Sequence, residues 1–134
     1  MNSFEKRTLR IDVAMKRKDA DLVLKNATYL NVFTKEFLKG DIAMAEGYFC
    51  AIGQGYKGRH EIDLKGKYVV PGFMDGHLHL ESSVVSPKEY ARAVLPHGTV
   101  SIFADPHEIA NVLGTVGIDY ILDSTKKICL LKYI

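Results

Sequence analysis

The pattern of hydrophobic and polar positions changes twice along the chain and divides it into three parts. In residues 1–18, apolar side chains recur among charges at an imperfect helical period, which predicts a helix capped by Ser3. In residues 19–67, short apolar runs lie between turn residues, which predicts part of a small antiparallel β-sandwich. The predicted strands are 22–24, 27–33, 41–45 and 48–52, with turns at 39–40, 46–47 and 53–55.

Residues 68–134 alternate strand-like and helix-like patterns, which predicts an α/β domain with a parallel sheet. The predicted elements are a strand at 68–70, a helix from Ser86 to about Gly98, a strand at 99–104, a helix at 109–127 interrupted by Gly114 and Gly117, and a strand at 128–134. Ser86 caps the first of these helices, and Pro87 suits its first turn, where a missing N–H does no harm. Polar groups follow the strands at the end where barrel enzymes carry their active sites.

The composition is that of an ordinary globular domain, with 47% hydrophobic residues, 25% charged residues and a net charge of +2. So small a surplus of positive charge argues against a nucleic-acid partner, and no run approaches the roughly 20 apolar residues of a membrane span. The N-terminal residues carry charges throughout and lack the apolar segment of a secretory signal. Cys50 and Cys129 form no framework of paired cysteines, so we expect a reducing cytoplasm.

Two histidines, His77 and His79, stand two positions apart where a strand is expected to run out into a loop. Alternate side chains of a strand point to the same face, so both imidazoles can bind one metal ion. Histidines on a strand face are also common as surface or core residues without a ligand. The neighbouring Pro71-Gly72, Asp75 and the polar run 105–108 favour the metal site.

The run from Pro71 to His79, Pro-Gly-x-x-Asp-x-His-x-His, resembles the first metal-binding strand of the amidohydrolase superfamily. The segments 77–83, 91–99 and 104–114 resemble the adenine deaminase family within it, and the resemblance extends over roughly residues 19–125. It implies a (β/α)8 barrel enzyme that hydrolyses adenine to hypoxanthine and ammonia, with further metal ligands on later strands. It also implies a homo-oligomer and a two-metal centre of Mn²⁺ or Fe²⁺, although imidazoles equally suit Zn²⁺.

The chain is short for such an enzyme, because a complete (β/α)8 barrel needs about 250 residues and this chain has 134. The pattern contains only two β/α units, so we expect an incomplete barrel, the N-terminal fragment of a longer enzyme. His77 and His79 are then half of a metal site, because catalytic sites typically use three or more protein ligands. We therefore expect the isolated chain to be inactive.

The acidic residue Glu81 helps to choose among amidohydrolases. In members that resemble dihydroorotase, an Arg follows the second His by two positions, where a cation suits a substrate carboxylate. Glu81 reverses that charge and suits a neutral base that carries N–H groups, unless it is only a solvated loop acid. The zinc deaminases of nucleosides and nucleic acids are excluded, because they pair H-x-E with a P-C-x-x-C motif that Cys50 and Cys129 cannot form.

A second polar cluster, Asp105, His107 and Glu108, follows the predicted strand 99–104. These side chains can bind a further metal, orient the two histidines, or contact the purine. An alternative is that Asp105 is only the N-cap of a helix whose first turn contains proline.

The other candidates follow from their positions. Glu81 and Glu108 are the candidate catalytic carboxylates, and Asp75 is a candidate structural carboxylate that supports the metal ligands. His60 lies in a charged stretch and His97 at a helix end, so both are interpreted as ordinary residues.

Three functions remain open from the sequence. The first is a piece of an adenine deaminase. The second is a piece of another amidohydrolase that acts on a cyclic amide or a different base, against which Glu81 and the Asp-Pro-His-Glu run argue. The third is a chain without enzymatic activity that binds a metal or a partner through open strand edges.

Overall fold

The computed structural model describes residues 2–127 and 132–133 and contains two compact units, Met1–Pro71 and Gly72–Ile134. The first unit contains α1 (Ser3–Ala14), β1 (Ala20–Asn31), β2 (Glu36–Ala45), β3 (Tyr48–Gly53), β4 (Gly58–Asp63) and β5 (Tyr68–Val69). The second unit contains β6 (Phe73–Leu78), α2 (Pro87–Val94), β7 (Thr99–Ala104), α3 (His107–Leu113), α4 (Thr115–Lys127) and β8 (Lys132–Tyr133). Short 3₁₀ turns at Glu81–Ser83 and Leu95–His97 flank α2.

The strands of the first unit form one mixed sheet, in the order β3, β2, β1, β4, with β5 also beside β1. β1 pairs antiparallel with β2, as predicted, but parallel with β4 and β5, so the sheet is mixed rather than wholly antiparallel. Glu46 and Gly47 form the predicted hairpin turn between β2 and β3, with φ angles of 54° and 75° that suit a two-residue loop. The partial sandwich stays a prediction, because the described strands of this unit form a single sheet.

Helix α1 differs from its prediction at both ends. Asn2 rather than Ser3 is the N-cap, because Asn2 Oδ1 accepts a hydrogen bond from the Glu5 N–H at 2.9 Å. Glu5 Oε2 in turn accepts from the Asn2 N–H at 2.8 Å, which completes a capping box. The helix ends at Ala14, before Lys16 takes a positive φ of 59°.

The core of the first unit lies between α1 and the sheet. Its buried residues are Val13, Ala20, Val23, Ala43 and Ala45, with Leu9, Cys50 and Tyr56 packed around them. The Tyr56 hydroxyl donates to the Ala14 carbonyl at 3.2 Å and fixes the end of the helix. Small alanine side chains on the sheet leave room for the helix to pack closely.

Several strand boundaries of the first unit also differ from their predictions. The runs 22–24 and 27–33 form one strand, because an irregularity between Leu24 and Ala27, with Asn26 at a φ of 55°, keeps both parts paired with β2. Gly40, predicted in a turn, lies within β2 opposite Ala27. Strand β4 was not predicted, because its sequence is polar and mostly exposed and its pairing with β1 is long-range.

One buried ion pair should make the stability of the first unit depend on pH. Burial raises the pKa of Asp41, but the Lys25 ammonium at 2.7 Å and the backbone N–H groups of Asn26 and Gly55 outweigh that effect, so the pKa lies below its ordinary value of 3.8. A carboxyl with a lowered pKa stabilises the folded state above its unfolded pKa, and this contribution is lost as the pH falls through the folded pKa.

We therefore expect the free energy of unfolding to fall as the pH is lowered below about 4, with part of that fall absent in Asp41→Asn. Asp41→Ala should cost about 1–3 kcal/mol at neutral pH, because it leaves the Lys25 ammonium without its carboxylate partner. Urea denaturation at several pH values measures both effects. The exposed Asp19→Ala is the control, and an equal loss of stability in that variant would contradict the assignment.

The described strands of the second unit form a parallel sheet with β7 between β6 and β8. β7 occupies the predicted residues 99–104. The strand that leads to the histidine pair is Phe73–Leu78 rather than 68–70, because Tyr68 and Val69 pair with β1 instead. Of the predicted strand 128–134, only Lys132–Tyr133 is described, and it pairs with β7; the rest lies outside the described residues.

Helix α2 confirms its predicted start. Ser86 is the N-cap, with Oγ accepting from the Glu89 N–H at 3.4 Å, and Pro87 occupies the first turn. Ala91 of α2 packs on Ile102 of β7, and both are buried with 2% and 0% of their surface exposed. This packing joins the helix to the strand that follows it, as a β/α unit requires.

Helices α3 and α4 confirm one predicted interruption and correct the other. Gly114, with a φ of 62°, separates the two helices. Gly117 lies inside α4, where a Cβ would come within 2.8 Å of the Ile109 carbonyl oxygen, so this glycine permits a close approach of α4 to α3. Within the described part of the chain, none of the helices combines the length and the apolar content needed to cross a membrane.

Candidate metal centre

Two parallel strands bring the candidate residues together at their carboxyl ends. β6 and β7 are paired, and Leu78 lies opposite Ala104 at the end of the ladder. The Asp105 N–H donates to the Leu78 carbonyl at 2.9 Å, so the chain leaves both strands at the same level. His79, which follows β6, therefore lies beside the run 105–108, which follows β7.

His77 and His79 face each other, as their spacing predicts. Their Nε2 atoms are 3.0 Å apart and their rings are inclined at 87°. In the absence of a ligand one Nε2 must donate and the other accept. The two nitrogens are close enough to bind one divalent ion at metal–nitrogen distances of about 2.1 Å.

Asp105 orients two histidines at once. Its backbone carbonyl oxygen lies 3.1 Å from His79 Nδ1, and its carboxylate Oδ2 lies 3.2 Å from His107 Nδ1. A histidine whose Nδ1–H is held by an oxygen presents Nε2 to a metal. The alternative that Asp105 caps a helix is wrong, because the N-cap of α3 is Pro106 and no side-chain hydrogen bond caps it.

The structure groups His107 and Glu108 with His79. One potential ligand atom from each of these three residues lies within 4.8 Å of the others, and the His79 and His107 ring centroids are 4.7 Å apart. His79 and Glu108 are half-buried, whereas His107 is exposed. The second polar cluster of the sequence therefore lies beside the first.

Ser82 is a site residue that sequence reasoning missed. Its hydroxyl lies 2.8 Å from Glu108 Oε1 and 3.0 Å from Oε2, so it donates to this carboxylate and fixes its orientation. The signal was present in the run His-Leu-His-Leu-Glu-Ser-Ser, whose first hydroxyl follows directly after Glu81. The sequence does not show that the turn at Glu81–Ser83 lies close to α3.

Glu81 is not the solvated loop acid that was the alternative to a functional role. Its Oε1 accepts from the Ile109 N–H at 3.0 Å, which satisfies one of the free N–H groups at the start of α3. Its Oε2 is buried and has no hydrogen-bond partner among the described residues. A buried carboxylate oxygen without a donor is energetically costly, so Glu81 is not an ordinary surface acid.

A cavity of about 390 Å³ lies beside these two carboxylates. It is within the size range of small-molecule pockets, and its walls are mainly apolar, with Glu81 and Glu108 as its acidic groups. The lining residues are Leu80, Glu81, Val85, Ser86, Pro87, Glu108, Ile109, Val112, Tyr120 and Ile121.

The other candidates have simpler surroundings. Asp75 Oδ1 accepts from the His77 backbone N–H at 3.1 Å, so this carboxylate supports the backbone that carries the histidine. Burial raises the pKa of Tyr90, and the negative charge of Asp75 adds to that effect. His60 lies exposed in β4, and His97 lies exposed in the turn after α2.

The known sequences that are similar to this chain agree on one family. The amidohydrolase family profile matches residues 68–133. Adenine deaminase 2 of Carboxydothermus hydrogenoformans is 52% identical over 118 residues, which are 88% of this chain and 20% of that protein. The adenine deaminase of Clostridium acetobutylicum is 54% identical over 117 residues, 87% of this chain and 20% of that protein. The chain thus spans about a fifth of the length of these curated relatives.

Comparison with solved structures gives a fold of the same kind. N-acyl-D-glutamate deacylase from Bordetella bronchiseptica, complexed with zinc and a phosphonate inhibitor, matches with a TM-score of 0.54 at 24% identity. The match covers 65% of this chain and 19% of the deacylase, and at this identity it concerns the fold alone. The resemblance read from the Pro-Gly-x-x-Asp-x-His-x-His run is confirmed by the sequence matches. Residues 68–133 match the amidohydrolase family, and the curated relatives that the chain matches are adenine deaminases.

Proposed function

We propose that this sequence belongs to an adenine deaminase, which hydrolyses adenine to hypoxanthine and ammonia. The observation that carries the proposal is the identity of 52% and 54% with two adenine deaminases over 88% and 87% of the chain. The convergence of His77 and His79 at the end of β6 supports it, because hydrolysis of this amine requires an activated water molecule.

His77 and His79 are the proposed ligands of a divalent metal. Such a metal supplies, when bound, a water molecule whose pKa is lowered to about 7, so that a nucleophile exists at neutral pH. Imidazole ligands suit Mn²⁺, Fe²⁺ and Zn²⁺ alike, and we propose Mn²⁺ or Fe²⁺ on the resemblance to adenine deaminases.

The cavity beside Glu81 is the proposed place for the purine. A planar base needs apolar walls for its faces and acceptors for its N–H groups, and this cavity offers both. Glu81 is the proposed group for the second role, because its side chain lines the cavity and the Ile109 N–H holds its Oε1 in position.

Glu81 and Glu108 are the proposed proton carriers within this segment. Deamination requires a group that accepts a proton from water and a group that gives one to the departing amine. Ser82 holds the Glu108 carboxylate in a fixed position, and Glu81 is held at the start of α3. Carboxylates that are held in position beside the cavity support this role.

The remaining parts of the proposal concern the whole enzyme. We propose that residues 68–134 begin a (β/α)8 barrel with its first two β/α units, after an N-terminal helix at 1–18 and part of a β-sandwich at 19–67. The parallel pairing of β6, β7 and β8 supports the barrel assignment. A homo-oligomeric state and a cytoplasmic location stay predictions.

The proposal is tested with a chimera in which this chain replaces the matching region of the Carboxydothermus adenine deaminase 2. We expect the purified chimera, supplied with Mn²⁺, to convert adenine to hypoxanthine with release of ammonia, because 52% identity over 118 residues favours compatible packing of the exchanged region. Chromatography of the products and an ammonia assay measure the activity.

The isolated 134-residue chain is the control and should release no ammonia under the same conditions. A folded chimera that binds metal yet leaves adenine unchanged would contradict the proposed substrate. Hydrolysis of a cyclic amide by that chimera would favour the alternative amidohydrolase function.

A further inference from the structure

We infer that this chain contains a divalent-cation site made by His79, His107 and Glu108, in which the end of the second strand of the sheet contributes metal ligands. One ligand atom from each of these three residues lies within 4.8 Å of the others. This site does not depend on deaminase activity. If Glu108 binds the cation, Glu81 remains as the proposed proton carrier, because a carboxylate that binds a metal is not free to carry a proton.

Each of the three side chains is held by a neighbour that leaves a ligand atom available. The Asp105 carbonyl holds His79 at Nδ1, and the Asp105 carboxylate holds His107 at Nδ1, so both histidines present Nε2. Oxygen partners of this kind fix the ring orientation of metal-binding histidines.

The Glu108 carboxylate completes the set. The Ser82 hydroxyl donates to it at 2.8 Å and 3.0 Å, which orients the carboxylate but leaves lone pairs on both oxygens free to bind a cation. Two imidazoles and one carboxylate form a ligand set that occurs in catalytic metal sites with positions open to water. His77 Nε2, at 3.0 Å from His79 Nε2, borders the same space.

The pairing of the strands explains why these residues meet. Leu78 and Ala104 end the β6–β7 ladder side by side, so the loop after each strand begins at the same level. His79 lies one residue beyond β6, and His107 and Glu108 begin α3 just after β7. Mixed nitrogen and oxygen ligands suit Mn²⁺, Fe²⁺, Co²⁺ and Zn²⁺ rather than Ca²⁺.

The test measures metal bound by the purified chain. Equilibrium dialysis against Zn²⁺ and Mn²⁺ gives the stoichiometry and affinity whether the chain is monomeric or associated, and Co²⁺ absorption reports the ligands. We expect one ion per chain, and a loss of affinity of about a hundredfold or more in His107→Ala and Glu108→Gln, because losing even a supporting partner of a ligand costs about 10–100-fold.

Both substitutions should leave the fold intact, since His107 is exposed and Gln can still accept from Ser82. His97→Ala and Glu36→Gln are the matched controls, because both residues are exposed, and they should bind as the unmodified chain does. Wild-type affinity in both His107→Ala and Glu108→Gln would overturn the inference, and so would an unmodified chain that binds no metal.

Discussion

Replacing His77 or His79 by Ala in the chimera should lower kcat/KM for adenine by at least about a thousandfold, because a lost ligand removes the metal that brings the pKa of water down from 15.7 to about 7. The Nε2 atoms of the two histidines are 3.0 Å apart, so both can bind the same metal ion. Neither histidine can take over the ligand position of the other. Metal analysis of the purified variants should show reduced metal content alongside the lost activity.

The control for this prediction is His97→Ala. His97 lies exposed in the turn after α2, so its removal should leave both metal content and kcat/KM unchanged. A His79→Ala variant with undiminished metal stoichiometry would show that His79 is not a ligand. A His77→Ala variant with full activity would restrict the site to the residues around His79.

The fold could be predicted from the sequence wherever the signal is local. Ser86 and Pro87 marked the start of α2, and the apolar run 99–104 marked β7, because capping and hydrophobic pattern act within a few residues. Asn2 and Ser3 both suit a cap, and the choice depends on Glu5, which completes a capping box with Asn2.

Long-range pairing could not be predicted in the same way. Strand β4 is polar and mostly exposed, and it forms because its backbone pairs with β1 far away in the sequence. Gly117 was interpreted as a helix breaker, but its role depends on the proximity of Ile109 in another helix. Neither neighbour is visible in a local pattern.

In the candidate site, too, local features could be predicted from the sequence and long-range contacts could not. The spacing of His77 and His79 predicted that their side chains converge, because alternation along a strand is a local property. The contacts of Asp105 with two histidines, and of Ser82 with Glu108, depend on how β6 and β7 pair. Sequence therefore gave the residue types of the site but not their partners.

The isolated chain should associate in solution rather than remain a monomer. Large apolar side chains are exposed in both units, with 70% of Phe49, 62% of Phe73 and 79% of Val112 accessible. Among the described strands, β3 pairs only with β2 and β6 only with β7, so each sheet has an edge with unpaired N–H and C=O groups. Exposed apolar surface and open sheet edges both favour association.

Size-exclusion chromatography with light scattering measures this effect, and we expect species larger than the 15.0 kDa monomer. Adding the rest of the Carboxydothermus enzyme as a separate chain should reduce self-association, because its strands and apolar surfaces would cover these edges. Val112→Lys should reduce self-association on its own, whereas Lys126→Ala, at an exposed charged position, should not.

A chain that stays monomeric would contradict the expected self-association. If the chain were a monodisperse monomer with a cooperative thermal transition and slow amide exchange at Ile102, the packing of Ile102 on Ala91 would be sufficient to stabilise the second unit by itself. The exposed apolar residues would then be tolerated surface rather than uncovered interface. A stable monomer that also binds one metal ion would separate metal binding, which this chain would perform alone, from deamination, which we propose for the longer enzyme.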